Sequence, residues 1–311
     1  HTKLRRQKSF AILKSRLRRF FLLCLKARES ASNGFYMHRF DHEAMNTKLD
    51  LLICGADHKY ALSAAAECFD KVDMLETLLS MYREGSDIDM INSSPVGSVV
   101  KLACDACDCL VDAFAVSSIT GGAIDVSLGD YYSKMKKGAP NSVELKRGKF
   151  EIDPENFYIK KVADGKIDLG CIGKGYAVDR MVEILRETWE IENAFISFGG
   201  SSIFAFGKPE DSDSWRVNLS KDISFDIPPS GMGVGASGVA VQGEHVFAGR
   251  TGEVPEHQPF RTWAFGNSAA FADAFSTAFM ILGRSEVEKI CAQTGMRAAF
   301  QETESSEPFF L

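Results

Sequence analysis

A glycine-rich segment, residues 168–180, reads DLGCIGKGYAVDR and is the first candidate for chemistry. Its pattern predicts a strand that ends in a glycine-rich turn and opens a helix. Glycines let a backbone approach a ligand closely, and the free N–H groups at a helix start attract phosphate. Lys174 adds a positive charge, but Gly175 follows it instead of the Ser or Thr of a P-loop. Taken alone, the segment is equally compatible with a plain tight turn.

A second segment, residues 243–252, reads GEHVFAGRTG and places a histidine before a Thr-Gly turn. His245 follows a hairpin turn predicted at Gln242-Gly243, within a strand predicted over residues 239–247. The reference pKa of histidine lies near neutrality, so His245 close to Thr251 could serve as a general acid or base. A single histidine in a strand is more often structural, so this segment alone leaves both interpretations open.

A third candidate is a pair of oxygen-bearing side chains in an otherwise apolar helix. Asp273 and Thr277 are four residues apart and therefore face the same way. A carboxylate in an apolar setting needs a partner, because its desolvation without one is costly. Two oxygens on one helix face suit a hard cation such as Mg²⁺. The alternative is an aspartate on the helix surface with a threonine beside it.

The chain has eight cysteines, three of which cluster at Cys104, Cys107 and Cys109. They fall within a predicted helix over residues 102–116, on which Cys109 points away from the other two. No second Cys or His pair completes a tetrahedral zinc site, so we interpret them as small buried hydrophobic residues. Unpaired, scattered cysteines are typical of a reducing compartment.

The elements that must position these residues follow each other in irregular order, which predicts an α+β fold with largely antiparallel sheets. Helical spacing is found over residues 62–79, 102–116, 176–189 and 268–282, and a last helix begins with the capping-box pattern Ser285-x-x-Glu288 and stops at Gly295. Strands are predicted at residues 49–54, 194–198, 203–206, 215–219 and 239–247, with a strand–turn–strand region over 143–169.

The charge and hydropathy of the chain are not those of a nucleic-acid-binding protein or of a protein with transmembrane helices. The formal net charge of the 311 residues is -6, so no global basic field favours nucleic acid. No apolar run approaches the length of a transmembrane helix. Residues 1–36 stand apart as a basic leader, with ten Lys or Arg between Lys3 and Arg28. We interpret them as a disordered extension or a surface helix, with contact to a membrane surface as the alternative.

The three segments, together with several others in the same order, resemble the ApbE family of FAD-dependent FMN transferases. The likeness runs from about Phe40 to Gly295. The segment at residues 168–180 is its most specific part. The other matching segments are residues 44–47 (AMNT), 81–87 (MYREGSD), 120–127 (TGGAIDVS) and 197–200 (SFGG).

The resemblance implies a fold and an activity. The fold would be a two-lobed, T-fold-like α+β architecture with an FAD cleft, and residues 37–311 would form a single domain. The activity would be Mg²⁺-dependent transfer of FMN from FAD to a Ser or Thr hydroxyl of an acceptor protein, through a phosphoester bond and with release of AMP. The family often works at the outer face of a bacterial inner membrane, whereas the lack of a clear export signal here favours the cytoplasm.

The resemblance also assigns residues. His245 would assist deprotonation of the acceptor hydroxyl, and Asp273 would act in catalysis as a metal ligand. Mg²⁺ would be held by the Asp273 carboxylate, the Thr277 hydroxyl and the backbone carbonyl of Gly173. FAD would be bound by Met45, Tyr82, Asp125, Lys174, Asp179, Gly199, Gly200 and Thr251, with Tyr82 stacked on the isoalloxazine.

The chain departs from the family pattern at two places near the expected chemistry. Cys171 stands where a glycine is usual, and Ala248-Gly249 replaces an Asp-Pro pair after His245. The second change predicts an altered, more flexible loop before Thr251. Two further activities are therefore compatible with the sequence, namely a metal-dependent FAD pyrophosphatase that gives FMN and AMP, and an FAD-binding protein with little catalysis.

Overall fold

The computed structural model describes residues 28–30, 36–136, 143–239 and 246–311. Three of the sequence interpretations fall outside these residues: most of the basic leader, the hairpin turn at Gln242-Gly243, and His245. In the described part of the leader, a short strand, Arg28–Ser30, pairs antiparallel with residues 37–39. The domain boundary at residue 36 stays a prediction. No helix in the described ranges is long and apolar enough to cross a bilayer.

A nine-stranded sheet, antiparallel throughout, forms the centre of the molecule. Its strands run in the order β1-β2-β3-β7-β8-β11-β12-β13-β14. Their bounds are β1 Arg28–Ser30, β2 Met37–Ala44, β3 Thr47–Cys54, β7 Asn193–Phe198, β8 Ser202–Phe206, β11 Met232–Gly238, β12 Arg261–Gly266, β13 Arg297–Gln301 and β14 Phe309–Phe310.

A two-residue turn joins β2 to β3. Met45 and Asn46 both take left-handed backbone conformations, with φ of 47° and 59°, and Ala44 pairs directly with Thr47. A turn with two positive φ values matches the twist of the flanking strands, and asparagine tolerates it well. Methionine does not favour this conformation, so the surrounding structure must hold Met45 there.

Helices cover one face of the sheet. The seven helices of the described residues are α1 His58–Leu79, α2 Asp87–Ser93, α3 Cys104–Ile119, α4 Gly129–Lys136, α5 Gly173–Glu183, α6 Ala269–Phe279 and α7 Arg284–Thr294. Helix α6 lies on β11 and β12 and contacts α5, which in turn packs on α1. The main apolar core lies between these helices and the sheet.

Glycines bring the α6 backbone into direct contact with its neighbours. A Cβ at Gly235 of β11 would overlap with the carbonyl oxygen of Ala272, and a Cβ at Gly175 of α5 would overlap with that of Ala269. Any side chain at these positions would push α6 away, because packed backbones cannot yield. The position of α6 is therefore set by two residues that lack side chains.

A short antiparallel ribbon covers part of the opposite face. It consists of β9 Trp215–Asn218 and β10 Ser224–Ile227. Trp215, Val217 and Phe225 pack with apolar residues of the sheet into a second, smaller core. A separate three-stranded sheet, in the order β4-β6-β5, is formed by β4 Val99–Lys101, β5 Lys149–Asp153 and β6 Tyr158–Ala163.

The α+β class with antiparallel sheets is confirmed. The strands predicted at 49–54, 194–198, 203–206 and 215–219 and the helices predicted at 62–79, 102–116 and 268–282 are confirmed within a few residues.

Two details of the helix prediction are wrong. Helix α5 begins at Gly173, three residues before the start predicted at Tyr176. The last part of the predicted helix is a π-helical turn, Ile184–Thr188, that follows α5. Helix α7 begins at Arg284 after Gly283, whose N–H donates to the Glu286 carboxylate at 3.4 Å, so the predicted capping box of Ser285 and Glu288 does not form.

The strand predicted over residues 239–247 is wrong at its two described ends, and residues 240–245 lie outside the described residues. Val239 and residues 246–248 are not in a strand, and the strand that enters this region is β11. The sequence of β11, MGVGASG, has three glycines and a single β-branched residue, so it carries no strand signal. Two of these glycines, Gly233 and Gly235, are required by the contact with α6.

Candidate active site

Asp273 is the central carboxylate of the candidate site. It is 3% exposed and lies on α6, where its Oδ2 accepts hydrogen bonds from Lys174 Nζ at 3.3 Å and from the Gly175 N–H at 3.1 Å. Both donors belong to the first turn of α5. A buried carboxylate is stabilised by such charge-assisted bonds. The two sequence segments singled out for chemistry thus meet at one carboxylate, because Gly175 lets the backbones of α5 and α6 touch.

A cluster of hydroxyl groups adjoins Asp273 on the side of β11. Thr277 Oγ1 lies 3.0 Å from Ser237 Oγ, which lies 2.9 Å from Ser276 Oγ. Ser276 also donates to the carbonyl oxygen of Asp273 at 2.8 Å. Ser237 fixes the direction of the Thr277 hydroxyl through the first of these bonds. Sequence reasoning missed Ser237, since it lies in the strand that was not predicted.

Asp179 anchors the start of α6. Its carboxylate accepts hydrogen bonds from Ser268 Oγ at 2.7 Å, the Ala269 N–H at 2.7 Å and the Ala270 N–H at 2.9 Å. Burial raises the pKa of Asp179 above its ordinary value, while these three bonds act in the opposite direction. An anion at a helix N-terminus is favourable. In the structure Asp179 therefore holds the helix that carries Asp273, and a contact with the nucleotide stays a prediction.

A cavity of about 240 Å³ opens beside Lys174. Four of the predicted site residues line it, and a Cβ at one of them, Gly173, would have no heavy atom within 4 Å. The four predicted lining residues are Met45, Tyr82, Gly173 and Lys174, and the structure adds Asn46, Glu76 and Asp168 among others.

Tyr82 presents its ring at this cavity. It is 70% exposed, although it is a large aromatic residue. Partial burial and the nearby charge of Asp168 raise the pKa of its hydroxyl, so the phenol stays neutral at physiological pH. An exposed aromatic ring beside a cavity offers a surface for stacking.

Asp168 is a second carboxylate at the cavity that sequence reasoning left without a function. Its Oδ1 accepts a hydrogen bond from the Gly170 N–H at 2.8 Å. The signal was present in the sequence, since Asp168 ends the predicted strand directly before the glycine-rich turn. Cys171 lies near both carboxylates: burial first, and then the charges of Asp168 and Asp273, raise the pKa of its thiol to about 12. The thiol therefore stays protonated and is a poor nucleophile.

Asp125 lies in a second group of predicted residues, at the contact of two loops. Its Oδ1 accepts bonds from the N–H of Ser127 at 3.0 Å and from the Ser127 hydroxyl at 2.6 Å, and its Oδ2 pairs with Arg147 Nε at 3.3 Å. Arg147 also donates to the carbonyl oxygen of Gly249 at 2.7 Å. Asp125 is therefore linked through Arg147 to the loop that departs from the family pattern.

That loop, residues 248–252, is held firmly in place. The Gly249 N–H donates to the carbonyl oxygen of Ala123 at 2.8 Å, and a Cβ at Gly249 would lie 2.5 Å from the carbonyl oxygen of Gly122. Arg250 donates to the carbonyl oxygen of Thr120 at 2.6 Å and pairs with Glu286 at 2.8 Å. These contacts hold the loop against its neighbours in the structure, and the expectation of a more flexible loop stays a prediction.

The remaining predicted residues are distributed elsewhere. Thr251 is exposed and its Oγ1 accepts a bond from the Glu253 N–H at 3.2 Å. Gly199 and Gly200, with φ of 64° and 68°, line a second cavity of about 320 Å³ on the ribbon side of the sheet. A Cβ at Gly199 would lie 3.0 Å from Thr47 Oγ1, so this cavity adjoins the turn that also lines the first one.

The oxygen donors of Asp273 and Thr277 are of the type that a hard cation takes. Gly173 is the first residue of α5, so helix geometry directs its carbonyl along the helix axis toward Ala177. That direction makes Gly173 a weaker candidate than the two side chains. Within the described ranges no group of three or more His, Cys, Asp or Glu side chains converges on a metal position.

Comparison with known proteins gives one family. The model of the ApbE family matches residues 45–300. A curated FAD:protein FMN transferase of Salmonella typhimurium is 22% identical over 322 aligned positions, which cover 93% of this chain and 91% of the relative. One of Escherichia coli strain K12 is 21% identical with the same coverage.

Solved structures agree in fold. The apo form of the Pseudomonas stutzeri flavinyl transferase ApbE superimposes with a TM-score of 0.79 at 20% identity, over 91% of this chain and 96% of that one. The flavin transferase ApbE of Vibrio cholerae gives a TM-score of 0.73 at 17% identity, over 91% and 97%. At this level of identity the likeness establishes the fold.

Proposed function

The chain belongs to the ApbE family, and from that premise we propose that it is an FAD:protein FMN transferase. In this proposal it moves FMN from FAD onto a Ser or Thr hydroxyl of an acceptor protein and releases AMP, with Mg²⁺ as the metal. The names of the relatives that match along nine-tenths of both chains support the reaction. The finer chemistry is inferred from this chain's own residues.

One observation carries the proposal. A buried carboxylate, Asp273, accepts hydrogen bonds from Lys174 and Gly175, and Lys174 lines a cavity that also presents the exposed ring of Tyr82. The structure thus combines a stacking surface, a cation and a buried anion within one small region. A dinucleotide with a planar ring system and a negatively charged pyrophosphate has the matching parts.

Each residue of the cavity has a proposed task. Tyr82 stacks on the isoalloxazine and holds the flavin at the cavity. Lys174 places its ammonium group against the pyrophosphate. The open space before Gly173 lets the nucleotide approach the first turn of α5, where N–H groups favour anions. These contacts position the phosphorus on the FMN side for attack by the acceptor oxygen.

Asp273 and Thr277 would hold the metal. Both are oxygen donors on one face of α6, and Ser237 fixes the Thr277 hydroxyl at 3.0 Å. Bound Mg²⁺ supplies positive charge that lowers the energy of breaking the pyrophosphate. Asp273 also neutralises Lys174 when the site is empty, so cation binding would release Lys174 for the substrate.

The proposed reaction is an in-line displacement at phosphorus. The acceptor hydroxyl oxygen forms a bond to the FMN phosphorus, and the bond from that phosphorus to the bridging oxygen breaks. AMP leaves with the bridging oxygen. The hydroxyl proton goes to a general base, for which we propose His245 on the strength of its place in the sequence.

A flavinylation assay tests the proposal. The protein is incubated with FAD, Mg²⁺ and an acceptor domain that carries a motif of the Ser/Thr-Gly-Ala-Thr type, and the acceptor is weighed by mass spectrometry. We expect a mass gain of one FMN, and AMP in equal amount. Asp273→Asn, which keeps the shape of the side chain, should lower the rate at least about 100-fold, since a lost metal ligand costs several kcal/mol of transition-state stabilisation.

The other outcomes assign the two alternatives. AMP release without mass gain on the acceptor would make the protein an FAD pyrophosphatase. FAD binding with neither product would make it a binding protein. A mass gain that Asp273→Asn leaves unchanged would reject the metal site. Thr277→Ser is the matched control, because it keeps the hydroxyl beside Ser237 and should keep most of the activity.

A further inference from the structure

The second cavity lies on the other side of the sheet from α6, yet one of its lining residues contacts a proposed metal ligand. Ser237 lines it and also lies 3.0 Å from Thr277 Oγ1. Gly199 lines it and adjoins Thr47, next to the turn at Met45 and Asn46 that borders the first cavity. The cavity of about 320 Å³ is therefore a neighbour of the proposed reaction centre at two points.

The cavity lies along one edge of the β9–β10 ribbon. Arg216, Val217 and Asn218 of β9 line it, whereas no residue of β10 does. Among the strands of the described residues, β9 pairs with β10 alone. The cavity therefore runs beside the edge of β9 that has no strand partner in this part of the chain.

The hydrogen-bonding pattern of the ribbon shows which groups face that edge. The Leu219 N–H donates to the carbonyl oxygen of Ile223 at 2.9 Å, so these two residues form a hydrogen-bonded pair. Antiparallel pairs alternate between bonded and non-bonded, which makes Asn218 opposite Ser224 a non-bonded pair. Arg216 opposite Asp226, two residues further along, is a non-bonded pair for the same reason. The N–H and C=O groups of Arg216 and Asn218 are therefore directed to the open edge.

The opposite wall of the cavity suits an extended backbone. It contains the glycines at positions 199, 200 and 238 and the small residue Ala236, which leave space for close approach. Ser197 and Ser201 add hydroxyl groups for hydrogen bonds to a peptide. Arg261 adds a positive charge, which disfavours a basic segment.

We propose that this cavity is the docking site of the acceptor protein, whose hydroxyl-bearing segment adds as a short β-strand along the open edge of β9. The inference rests on the proposed FMN transfer and names the site of its second substrate. Main-chain bonds along an exposed edge give affinity with little dependence on sequence, and small pockets select the side chains. A hydroxyl carried on such a strand would reach the reaction centre past Ser237.

A proline substitution on each side of the ribbon tests the docking edge. Asn218→Pro removes an N–H that points to the cavity but takes no part in the β9–β10 ladder, and proline is tolerated at such edge positions. Ser224→Pro makes the same change on β10, at the edge away from the cavity, and is the matched control. We expect Asn218→Pro to raise the KM for the acceptor domain about tenfold, the effect of one or two lost hydrogen bonds.

FAD affinity should be the same in both proline variants and the wild type. If Asn218→Pro and Ser224→Pro change the acceptor KM equally, or if neither does, the proposal is overturned. Thermal unfolding of both variants verifies that each remains folded. Asn218→Ala, which keeps the N–H, should restore a KM close to that of the wild type.

Photo-crosslinking separates docking from chemistry. A photoreactive amino acid replaces Arg216 in one variant and Ser224 in another, both carrying Asp273→Asn so that no transfer takes place. The acceptor domain should crosslink at position 216 at least about tenfold more than at 224, in line with the expected change in KM. Equal crosslinking would overturn the docking site even if FMN transfer is established. Crosslinking at 216 in a protein whose wild type transfers no FMN would reject the proposed function and leave the docking site standing.

Discussion

At the scale of single residues, the site depends on a few side chains whose burial and partners differ greatly. Asp273 is buried and held by Lys174 and Gly175, whereas Tyr82 is largely exposed. A buried charged residue costs stability when its partners are removed, while an exposed ring costs little. The two residues therefore call for different kinds of test.

Tyr82→Ala should weaken FAD binding without destabilising the protein. The loss of a stacking partner is expected to lower FAD affinity about fivefold, since aromatic pairs contribute roughly 1 kcal/mol beyond area burial. The melting temperature should stay within about 1 °C of the wild type, because surface substitutions rarely change stability by much. Fluorescence titration of FAD measures the affinity. Tyr82→Phe should bind as the wild type does, and equal weakening in both variants would show that the hydroxyl matters instead of the ring.

Residue-level expectations were partly predictable. The spacing of Asp273 and Thr277 and the glycine-rich turn around Lys174 identified the centre of the site, because each pattern has a physical meaning within a single element. The partners of Asp179 and Asp125 could not be predicted. Both carboxylates bind groups of other elements, and no local pattern shows whether an aspartate caps a distant helix or faces a ligand.

At the scale of elements, α6 is positioned from three sides. Its N-terminus is bound by Asp179, its side contacts α5 at Gly175, and its face lies on β11 at Gly235. Because backbones touch at the two glycines, a small displacement of α6 would move Asp273 and Thr277 together. The geometry of the proposed metal site is thus a property of element packing.

Gly235→Ala tests this packing. The added methyl group would overlap with the carbonyl oxygen of Ala272, and overpacking of this kind costs about 1–3 kcal/mol. We expect a fall of several degrees in melting temperature together with a clear loss of FMN transfer. Gly283→Ala is the control, since its Cβ would meet only the far end of the Glu286 side chain at 3.9 Å. A stable, active Gly235→Ala variant would contradict the argument.

Helix α3 brings a carboxylate, Asp112, toward Asp179 of α5. Burial first, and then the charge of Asp179, raise the pKa of Asp112 to about 6, while Arg180 acts in the opposite direction. A carboxyl group whose pKa is higher in the folded state than in the unfolded state binds its proton more tightly when folded. The folded protein therefore loses stability as the pH rises from about 4 to about 6.

Asp112→Asn should remove this pH dependence. Above pH 6 the variant is expected to be more stable than the wild type by about 1 kcal/mol, a value reduced for the solvent screening of a half-buried group. Denaturant unfolding at pH 4, 5, 6 and 7 measures the difference. Asp70→Asn, an exposed change on α1, is the control. A stability difference that does not grow between pH 4 and pH 6 would show that Asp112 has an ordinary pKa.

At the scale of the whole molecule, the sheet separates two cavities that serve one proposed reaction. The first cavity, proposed for FAD, is lined by Lys174, which bonds to Asp273, and the ribbon face holds the cavity along β9. Ser237 of β11 connects them, since it contacts Thr277 and lines the second cavity. Binding of FAD or of the acceptor should therefore raise the free energy of unfolding of the whole domain.

FAD and Mg²⁺ together should raise the melting temperature more than either does alone. A ligand at 100 times its dissociation constant stabilises the folded state by about 2.7 kcal/mol, which corresponds to roughly 5 °C for a chain of this size. Differential scanning fluorimetry with FAD and Mg²⁺, and with FAD and EDTA, measures the shift. In Asp273→Asn the part that depends on Mg²⁺ should vanish. An equal shift with EDTA in the wild type would argue against a metal at this site.

The sequence by itself determined the fold class, the position of most helices and strands, and the family. These features depend on hydrophobic periodicity and on short motifs, which are local in the chain and are retained when the rest is unknown. The order of the glycine-rich turn, the TGGAID segment and the Asp273–Thr277 pair was enough to identify the ApbE family without the coordinates.

Only the tertiary structure decided how the predicted site residues are divided between the two cavities. It put Met45, Tyr82, Gly173 and Lys174 at one cavity and Gly199 and Gly200 at another. It also revealed β11, whose glycines carry no strand signal, although Gly233 and Gly235 let α6 lie directly on this strand. Contacts between residues far apart in the chain depend on the packing of whole elements, and no property of a single segment contains that information.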